Sequence, residues 1–204
     1  MLELIDIHYA HRGGKELFGG ASLAVGPGER VAVTAPSGAG KTTLCSIAAG
    51  YLQPCAGKIL VDSAPLPKRG VCPVQMIWQH PERVLDPRMR MGDSLVEAGA
   101  VDASLLQSLG IRDEWLGRYP HELSGGELQR FCIARALAAN PRYLIADEIS
   151  TMLDAVTQAQ LWRFLLAQAR ERDLGMIIVS HSPALLGRVA TRTVSLQELT
   201  APAS

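Results

Sequence analysis

Residues Arg30 to Leu44 read RVAVTAPSGAGKTTL, and this stretch decides the fold. Arg30 to Thr34 is an apolar, β-branched run of the kind that forms a buried strand. Ala35 to Gly40 is a glycine-containing loop, and a helical stretch runs from Lys41 to Leu52. Strand, loop, lysine and threonine stand in the register of a phosphate-binding loop. Gly38 and Gly40 free the backbone to curl its N–H groups around phosphate oxygens. The helix N-terminus adds the positive end of its dipole. Lys41 has the reach for β- and γ-phosphates, and the Thr42 hydroxyl suits Mg²⁺. Pro36, Ser37, Ala39 and Thr43 complete the loop. A glycine-rich turn that merely precedes a lysine is the plain alternative, and the complete register argues against it. Ala35 stands where such loops usually have glycine. A positive φ there would cost about 1–2 kcal/mol; a negative φ would cost almost nothing, and that is the expectation.

Working outward, Leu2 to Tyr9 and Ala21 to Val25 read as short strands, and Gly26-Pro27-Gly28 as a turn. Ile59 to Asp62 and Gln75 to Trp78 read as further strands. Pro81, Pro87 and Pro120 punctuate a helix-favouring segment, with Asp102 to Leu109 its clearest helix; we expect an inserted helical subdomain at about residues 81–126. A helix from Glu127 to Ala139 stops at Asn140-Pro141. Strand Tyr143 to Ala146 follows, then a helix from Asp154 to Arg172 with Leu161, Phe164 and Leu165 on one face, then strand Met176 to Ser180. Strands alternating with helices predict an α/β domain with a mostly parallel sheet and active loops at its C-terminal edge. The expectation is a single domain over residues 1–204, with an antiparallel β part at its start.

The bulk composition sets limits. Lys+Arg and Asp+Glu are both 20, so the formal net charge is zero, which argues against a broad nucleic-acid-binding face. Cys45, Cys55, Cys72 and Cys132 lack paired metal-ligand spacing, and the expectation is buried thiols in a reducing compartment. No apolar run approaches the ~20 residues of a membrane-spanning helix. The opening MLELIDIHYA carries acidic residues where a signal peptide carries basic ones, so a cytosolic protein is expected.

Two further segments carry chemistry. YLIADE, Tyr143 to Glu148, delivers two carboxylates at the end of an apolar strand. Downstream of a phosphate loop, Asp147 suits Mg²⁺ and Glu148 suits the water that attacks a phosphate. LSGGELQR, Leu123 to Arg130, sets Ser124, Gly125 and Gly126 at the start of a helix. Alone that is an ordinary serine N-cap; it is also a second anion site built on a helix N-terminus.

Phosphate loop, LSGGELQR and YLIADE, in that order, resemble the nucleotide-binding domain of ABC transporters from Leu2 to about Leu196. The resemblance implies a P-loop ABC-ATPase core that binds ATP and Mg²⁺. It implies two domains packed head to tail, each ATP lying between one phosphate loop and the other domain's LSGG turn. It assigns Tyr9 to adenine stacking, Gln79 to Mg²⁺ and the attacking water, and His181 to the γ-phosphate. It assigns TMLD, residues 151–154, to the opposite subunit. Ile149 and Ser182 depart from the commonest form, which has Pro and Asp there. Residues 79–99 and 118–130 resemble the importer subfamily for peptides, nickel or nickel chelates. The implied partners are a second cassette, of the same or a different chain, transmembrane permease subunits and a substrate-binding protein. The implied place is the cytoplasmic side of the membrane. A non-transport ABC ATPase and a regulatory nucleotide-binding module are the alternatives. The first lacks the long coiled coils or paired cassettes of such relatives here, and the second is disfavoured because Glu148, Gln79 and His181 are all present.

The register of the loop generates the first prediction. Lys41→Ala should lower ATP turnover by at least ~2–4 kcal/mol of transition-state stabilisation, as removal of a preorganised donor does. Phosphate release at the wild-type rate would refute the loop assignment.

Overall fold

Among the described residues, nine strands divide between two sheets of opposite character. The computed structural model describes residues 1–11, 13–14, 16–151 and 153–200. The first sheet is antiparallel and contains β1 (Leu2–Ala10), β2 (Glu16–Val25), β4 (Ala56–Val61) and β5 (Ala64–Pro65), in the order β2-β1-β4-β5. The second contains β3 (Arg30–Thr34), β6 (Val74–Ile77), β7 (Tyr143–Asp147), β8 (Gly175–Val179) and β9 (Arg192–Ser195). Its order is β6-β7-β8-β3-β9, and every pair is parallel.

Helices cover the second sheet: α1 (Lys41–Ala48) on one face, α5 (Gly125–Ala138) and α6 (Ala155–Glu171) on the other. Strands β3, β7 and β8 therefore bury both faces and read as continuous apolar runs. Along β7, Tyr143 and Ile145 join the core shared with α1 and the antiparallel sheet, while Leu144 and Ala146 join the core shared with α5 and α6. That is the period-two alternation of a strand. Between β6 and α5 lie the short helices α2 (Met91–Ala98), α3 (Ala103–Ser108) and α4 (Asp113–Leu116). Their Met91, Leu95, Leu105 and Trp115 belong to the same core as α5 and α6, so the helical segment is seated directly on the sheet layer.

The remaining helices, α7 (Pro183–Val189) and α8 (Leu196–Thr200), and the edge strand β9 were not anticipated. Each is short, and β9 has exposed Arg192 and Thr193 with only partly buried Val194 and Ser195, too little pattern to read. Other boundaries moved for identifiable reasons. Helix α1 stops at Ala48, short of Leu52, because Gly50 (φ 80°) closes it. Gly50 N–H donates to the Ile47 carbonyl at 2.9 Å and Tyr51 N–H to the Ser46 carbonyl at 2.8 Å, a Schellman end. Strand β2 begins at Glu16 rather than Ala21, since Gly20 (φ 75°) lies within an irregularity of the β1–β2 pairing and does not end the strand. Of the cysteines, Cys45 and Cys132 are buried as expected, but Cys55 is exposed and Cys72 only partly covered; all four are free. Burial pushes the Cys132 thiol up to about 12. Among the described residues no helix is long and apolar enough to cross a membrane.

The close approach of β4 to its neighbour β1 generates the second prediction. Gly57 has φ 98°, and a Cβ there would fall 2.3 Å from the Asp6 carbonyl oxygen. Gly57→Ala should lose roughly 2 kcal/mol of stability. Urea unfolding with an unchanged midpoint would contradict this.

Candidate functional site

Because the second sheet is wholly parallel, the loops leaving β3, β6, β7 and β8 all emerge at one edge. Ligand sites of open α/β sheets form at that carboxyl edge. These loops carry the phosphate loop, Gln79, Asp147-Glu148 and His181 respectively.

In the loop after β3, Ala35 has negative φ, so its Cβ carries no strain. Gly38 (φ 77°) and Gly40 (φ 101°) take the left-handed conformations that their residue type permits. At Gly40 a Cβ would also come within 2.8 Å of Leu17. Lys41 is buried, and its Nζ donates to the Ala35 carbonyl at 2.8 Å and the Pro36 carbonyl at 3.2 Å. The lysine is thus folded back across its own loop from Ala35 to Gly40. Thr42 is exposed at the first turn of α1, and Thr43 is partly covered.

Asp147 ends β7 with only 2% of its surface exposed. Its Oδ1 is buried and has no hydrogen-bond partner among the described residues. Burial raises its pKa, the Thr42 hydroxyl opposes the shift, the neighbouring Glu148 charge adds to it, and Lys41 and His181 oppose it. An orphaned carboxylate oxygen beside a threonine hydroxyl suits a hard cation, which takes oxygen ligands. The donor set of Thr42 and Asp147 therefore fits Mg²⁺.

Glu148 follows in a left-handed conformation, φ 51°, unusual for a side-chain-bearing residue. Gln79 Nε2 donates to its Oε2 at 3.0 Å, and His181 Nε2 lies 2.8 Å from its Oε1. The carboxylate is thus clasped from two sides by residues delivered from β6 and β8, the two strands that flank β7. Gln129, buried on α5, donates to the Trp78 carbonyl at 3.2 Å and so ties the Gln79 loop to the LSGGELQR helix. Gln129 was quoted in that motif without a role; nothing in a polar residue's type announces that it will be buried.

Ser124 caps α5 within a reciprocal capping box. Its Oγ accepts from Glu127 N–H at 3.3 Å and donates to Glu127 Oε2 at 2.9 Å, and its own N–H donates to that carboxylate at 2.7 Å. Ser124, Gly125 and Gly126 line a cavity of about 690 Å³ with Leu153, Asp154 and Arg130. A Cβ on Gly126 would lie 3.1 Å from Leu153, so the second glycine lets the turn pack on the 151–154 loop. In that loop Thr151 Oγ1 donates to the Glu148 carbonyl at 3.1 Å and Asp154 caps α6, while Met152 lies outside the described residues. The phosphate loop faces a different cavity, lined by Leu17, Phe18, Ala35, Pro36 and Ala39, and the two cavities share no lining residue. Within one chain the LSGG turn and the phosphate loop are not brought together.

Tyr9 is half-buried in β1, edge-on to His11 at 5.2 Å and tilted against Phe18 at 6.2 Å. Phe18 also borders Gly40, so the aromatic pair adjoins the phosphate loop. The two departures have structural roles of their own: Ile149 is buried in the helical core, and Ser182 caps α7 by accepting from Leu185 N–H at 3.3 Å.

A family profile described as "ABC transporter" matches residues 18–151. Glutathione import ATP-binding protein GsiA of Escherichia coli O6:H1 is 34% identical over 190 residues, covering 84% of this chain and 30% of the relative. GsiA of Salmonella paratyphi A is 36% identical over 190 residues, with the same coverage of 84% and 30%. The chain thus spans under a third of the length of these curated relatives, 30%. Among solved structures, the dimeric ATP-binding cassette MJ0796 bound to ADP and phosphate has a TM-score of 0.83 at 22% identity, covering 96% of this chain and 94% of that one. CbiO1 of Clostridium perfringens, part of the cbiONQ complex, has a TM-score of 0.76 at 22% identity, covering 95% and 83%. At that identity these likenesses show the fold.

Asp147 generates the third prediction. Its raised pKa means that its charge weighs against the fold above that pKa, and the penalty fades as pH falls through it. Asp147→Asn should raise the thermal midpoint measured without nucleotide at neutral pH by about 2–4 °C, the shift that roughly 1 kcal/mol gives in a chain of this size. The gain should vanish toward acid pH, and stabilisation by Mg²⁺ with ATP should be lost. A lower midpoint at neutral pH would contradict the analysis.

Proposed function

The chain belongs to the ABC transporter family, and from that premise we propose that it is the ATP-hydrolysing subunit of an importer for peptides, nickel or metal chelates. The observation that carries the reading is the Glu148 carboxylate, clasped by Gln79 and His181 at the sheet edge that also bears the Lys41 loop and Asp147. Residues 35–43 would bind the phosphates through backbone N–H groups and Lys41, with Tyr9 stacking on the adenine. Thr42, Asp147 and Gln79 would hold Mg²⁺. When bound, that cation supplies charge neutralisation on the β- and γ-phosphate oxygens. Glu148 would accept a hydrogen bond from the attacking water and polarise it. Gln79 and His181 would exchange their contacts with Glu148 for the water and the γ-phosphate, His181 stabilising the charge that develops there.

A second cassette would complete each site by presenting Ser124, Gly125 and Gly126 to an ATP held by the first. The separation of the two cavities supports this: the phosphate loop packs with α1 against one core and α5, which carries the LSGG turn, packs in the other, on the opposite face of the sheet. The Ser124 hydroxyl would turn its one proton from Glu127 Oε2 to the phosphate. Beside Gln79 runs a cavity of about 560 Å³ lined by Tyr51, Val71, Trp78, Leu85 and Ala98. Val71 is 64% exposed and Tyr51 56%, an apolar surface unusual beside a polar site. A helix of a permease subunit would dock there, because Trp78 in its wall is contiguous with the Gln79 that touches Glu148. ATP-driven closure of the two cassettes would move the permease, at the cytoplasmic face of the membrane. A substrate-binding protein would deliver the cargo from the other side. The GsiA likeness favours the peptide end of this substrate range.

The test of the whole reading is complementation between two defective proteins. Lys41→Ala and Ser124→Arg should each be inactive alone, since every site in either homodimer carries one defect. Mixed, they form heterodimers in which one site receives both defects and the other receives none. Phosphate release should recover to roughly a quarter of the wild-type rate if half the dimers are mixed and one site suffices; arginine's bulk and forked donors cannot stand in for a serine hydroxyl. A Ser124→Arg protein that is fully active alone would sink the composite site.

A further inference from the structure

We infer that Ser150, gripped by Trp162 and Gln158, is a positioning residue that sets the Glu148 carboxylate; the inference rests on the catalytic reading of Glu148 given above. Glu148 has φ 51°, a conformation that persists at a side-chain-bearing residue only when its surroundings over-determine it. Some of that restraint is local. The Glu148 N–H donates to the Val179 carbonyl at 3.0 Å, and its carbonyl accepts from Thr151 N–H at 3.3 Å and Thr151 Oγ1 at 3.1 Å. These bonds hold the peptide units, but Thr151 lies on the same loop and moves with it. An anchor outside the loop is supplied two residues on.

Ser150 is only 5% exposed, and its Oγ accepts from Gln158 Nε2 at 2.8 Å and Trp162 Nε1 at 3.1 Å. Gln158 and Trp162 are four residues apart and so lie on one face of α6. Trp162 is itself 3% exposed, so its indole N–H has no water to fall back on and requires this acceptor. Ile149, between Glu148 and Ser150, is 3% exposed and packs into the helical core. The loop is therefore pinned by a hydrocarbon plug and a doubly bonded hydroxyl immediately after the carboxylate.

The same helix also borders the segment that follows His181. Gln158 and Trp162 line a cavity of about 490 Å³ together with Ser182 and Leu185. Ser182 caps α7 and directly follows His181, the residue 2.8 Å from Glu148. Helix α6 thus bonds directly to the Glu148 loop and faces the start of α7 across this cavity. The phosphate loop lies elsewhere, between β3 and α1, with β8 between β3 and β7. Loss of the grip should consequently act on turnover and leave nucleotide binding alone. Misplacement of a reacting group by about 1 Å is enough to cost up to roughly a hundredfold in rate.

The test compares Ser150→Ala, Ser150→Thr, Trp162→Phe and the Ser150→Ala/Trp162→Phe double variant, with Glu148→Gln in parallel. Steady-state phosphate release is followed against ATP concentration and normalised to nucleotide-binding sites, and thermal midpoints are recorded. Ser150→Ala and Trp162→Phe should each lower kcat by roughly ten- to hundredfold with KM for ATP within about twofold of wild type. Ser150→Thr, which keeps the hydroxyl, should recover most of the rate, and the double variant should be no slower than the slower single one. Trp162→Phe retains the packing ring, so it reports on the N–H even if Ser150→Ala folds poorly. Wild-type kcat in folded Trp162→Phe or Ser150→Ala, with only the midpoint lowered, would show a purely structural contact and overturn the inference. If Glu148→Gln is inactive in that same experiment, only the positioning role falls. A fully active Glu148→Gln would overturn the catalytic reading and the inference together.

Discussion

Parallel pairing of five strands, of which β3, β7 and β8 are buried on both faces, is the constraint on which the rest of this structure depends. A parallel strand cannot hand its chain to a neighbour by a hairpin, so each needs a crossover through a helix. Every crossover leaves the sheet at the same edge. The polar groups that the apolar strands cannot hold therefore collect there: Lys41 after β3, Gln79 after β6, Asp147 and Glu148 at β7, His181 after β8. Strand order then decides which of them meet. Strands β6 and β8 flank β7, and so Gln79 and His181 close on the Glu148 carboxylate from opposite sides.

The residues gathered there are not arranged for greatest stability. Asp147 is buried with an oxygen that finds no protein donor, and Glu148 holds a backbone conformation usually left to glycine or asparagine. Such groups persist where surrounding structure compels them, and they concentrate at sites with a chemical task. The compulsion comes from the helical layer: Ile149 and Ser150 fasten the loop to the core and α6, and Gln129 fastens the Gln79 loop to α5. The departures at Ile149 and Ser182 fit the same logic. One fills the core beside the carboxylate, and the other caps the helix that begins after His181.

Helix α5 joins the two ends of the molecule. Its first turn carries the LSGG serine and glycines, its middle carries Gln129, and its apolar face lies against the sheet. The capping box at Ser124 satisfies the N–H of Glu127 and engages the serine hydroxyl at the same time. Gly126 allows this turn to rest on Leu153, so the LSGG surface and the loop that follows Glu148 form one continuous face.

By itself the sequence determined the class of fold and the identity of the chemical groups. Strand, glycine loop and Lys-Thr are contiguous, and contiguity is what local conformation and a side chain's reach can exploit; the phosphate loop, Asp147-Glu148 and Ser124 as an N-cap were all legible for that reason. The long helix capped by Asp154 was legible from its apolar spacing. The tertiary structure alone decided how distant segments meet. That Gln79 and His181 touch Glu148 depends on strand order, which no local pattern encodes. The grip of Gln158 and Trp162 on Ser150 depends on where a buried hydroxyl falls against a helix face, and serine is as common on surfaces as in such niches. Strand β9 and helices α7 and α8 escaped notice because they are held by packing against the sheets rather than by a periodicity of their own. Local chemistry is written along the chain, whereas the pairing of its separate ends is a property of the packed core.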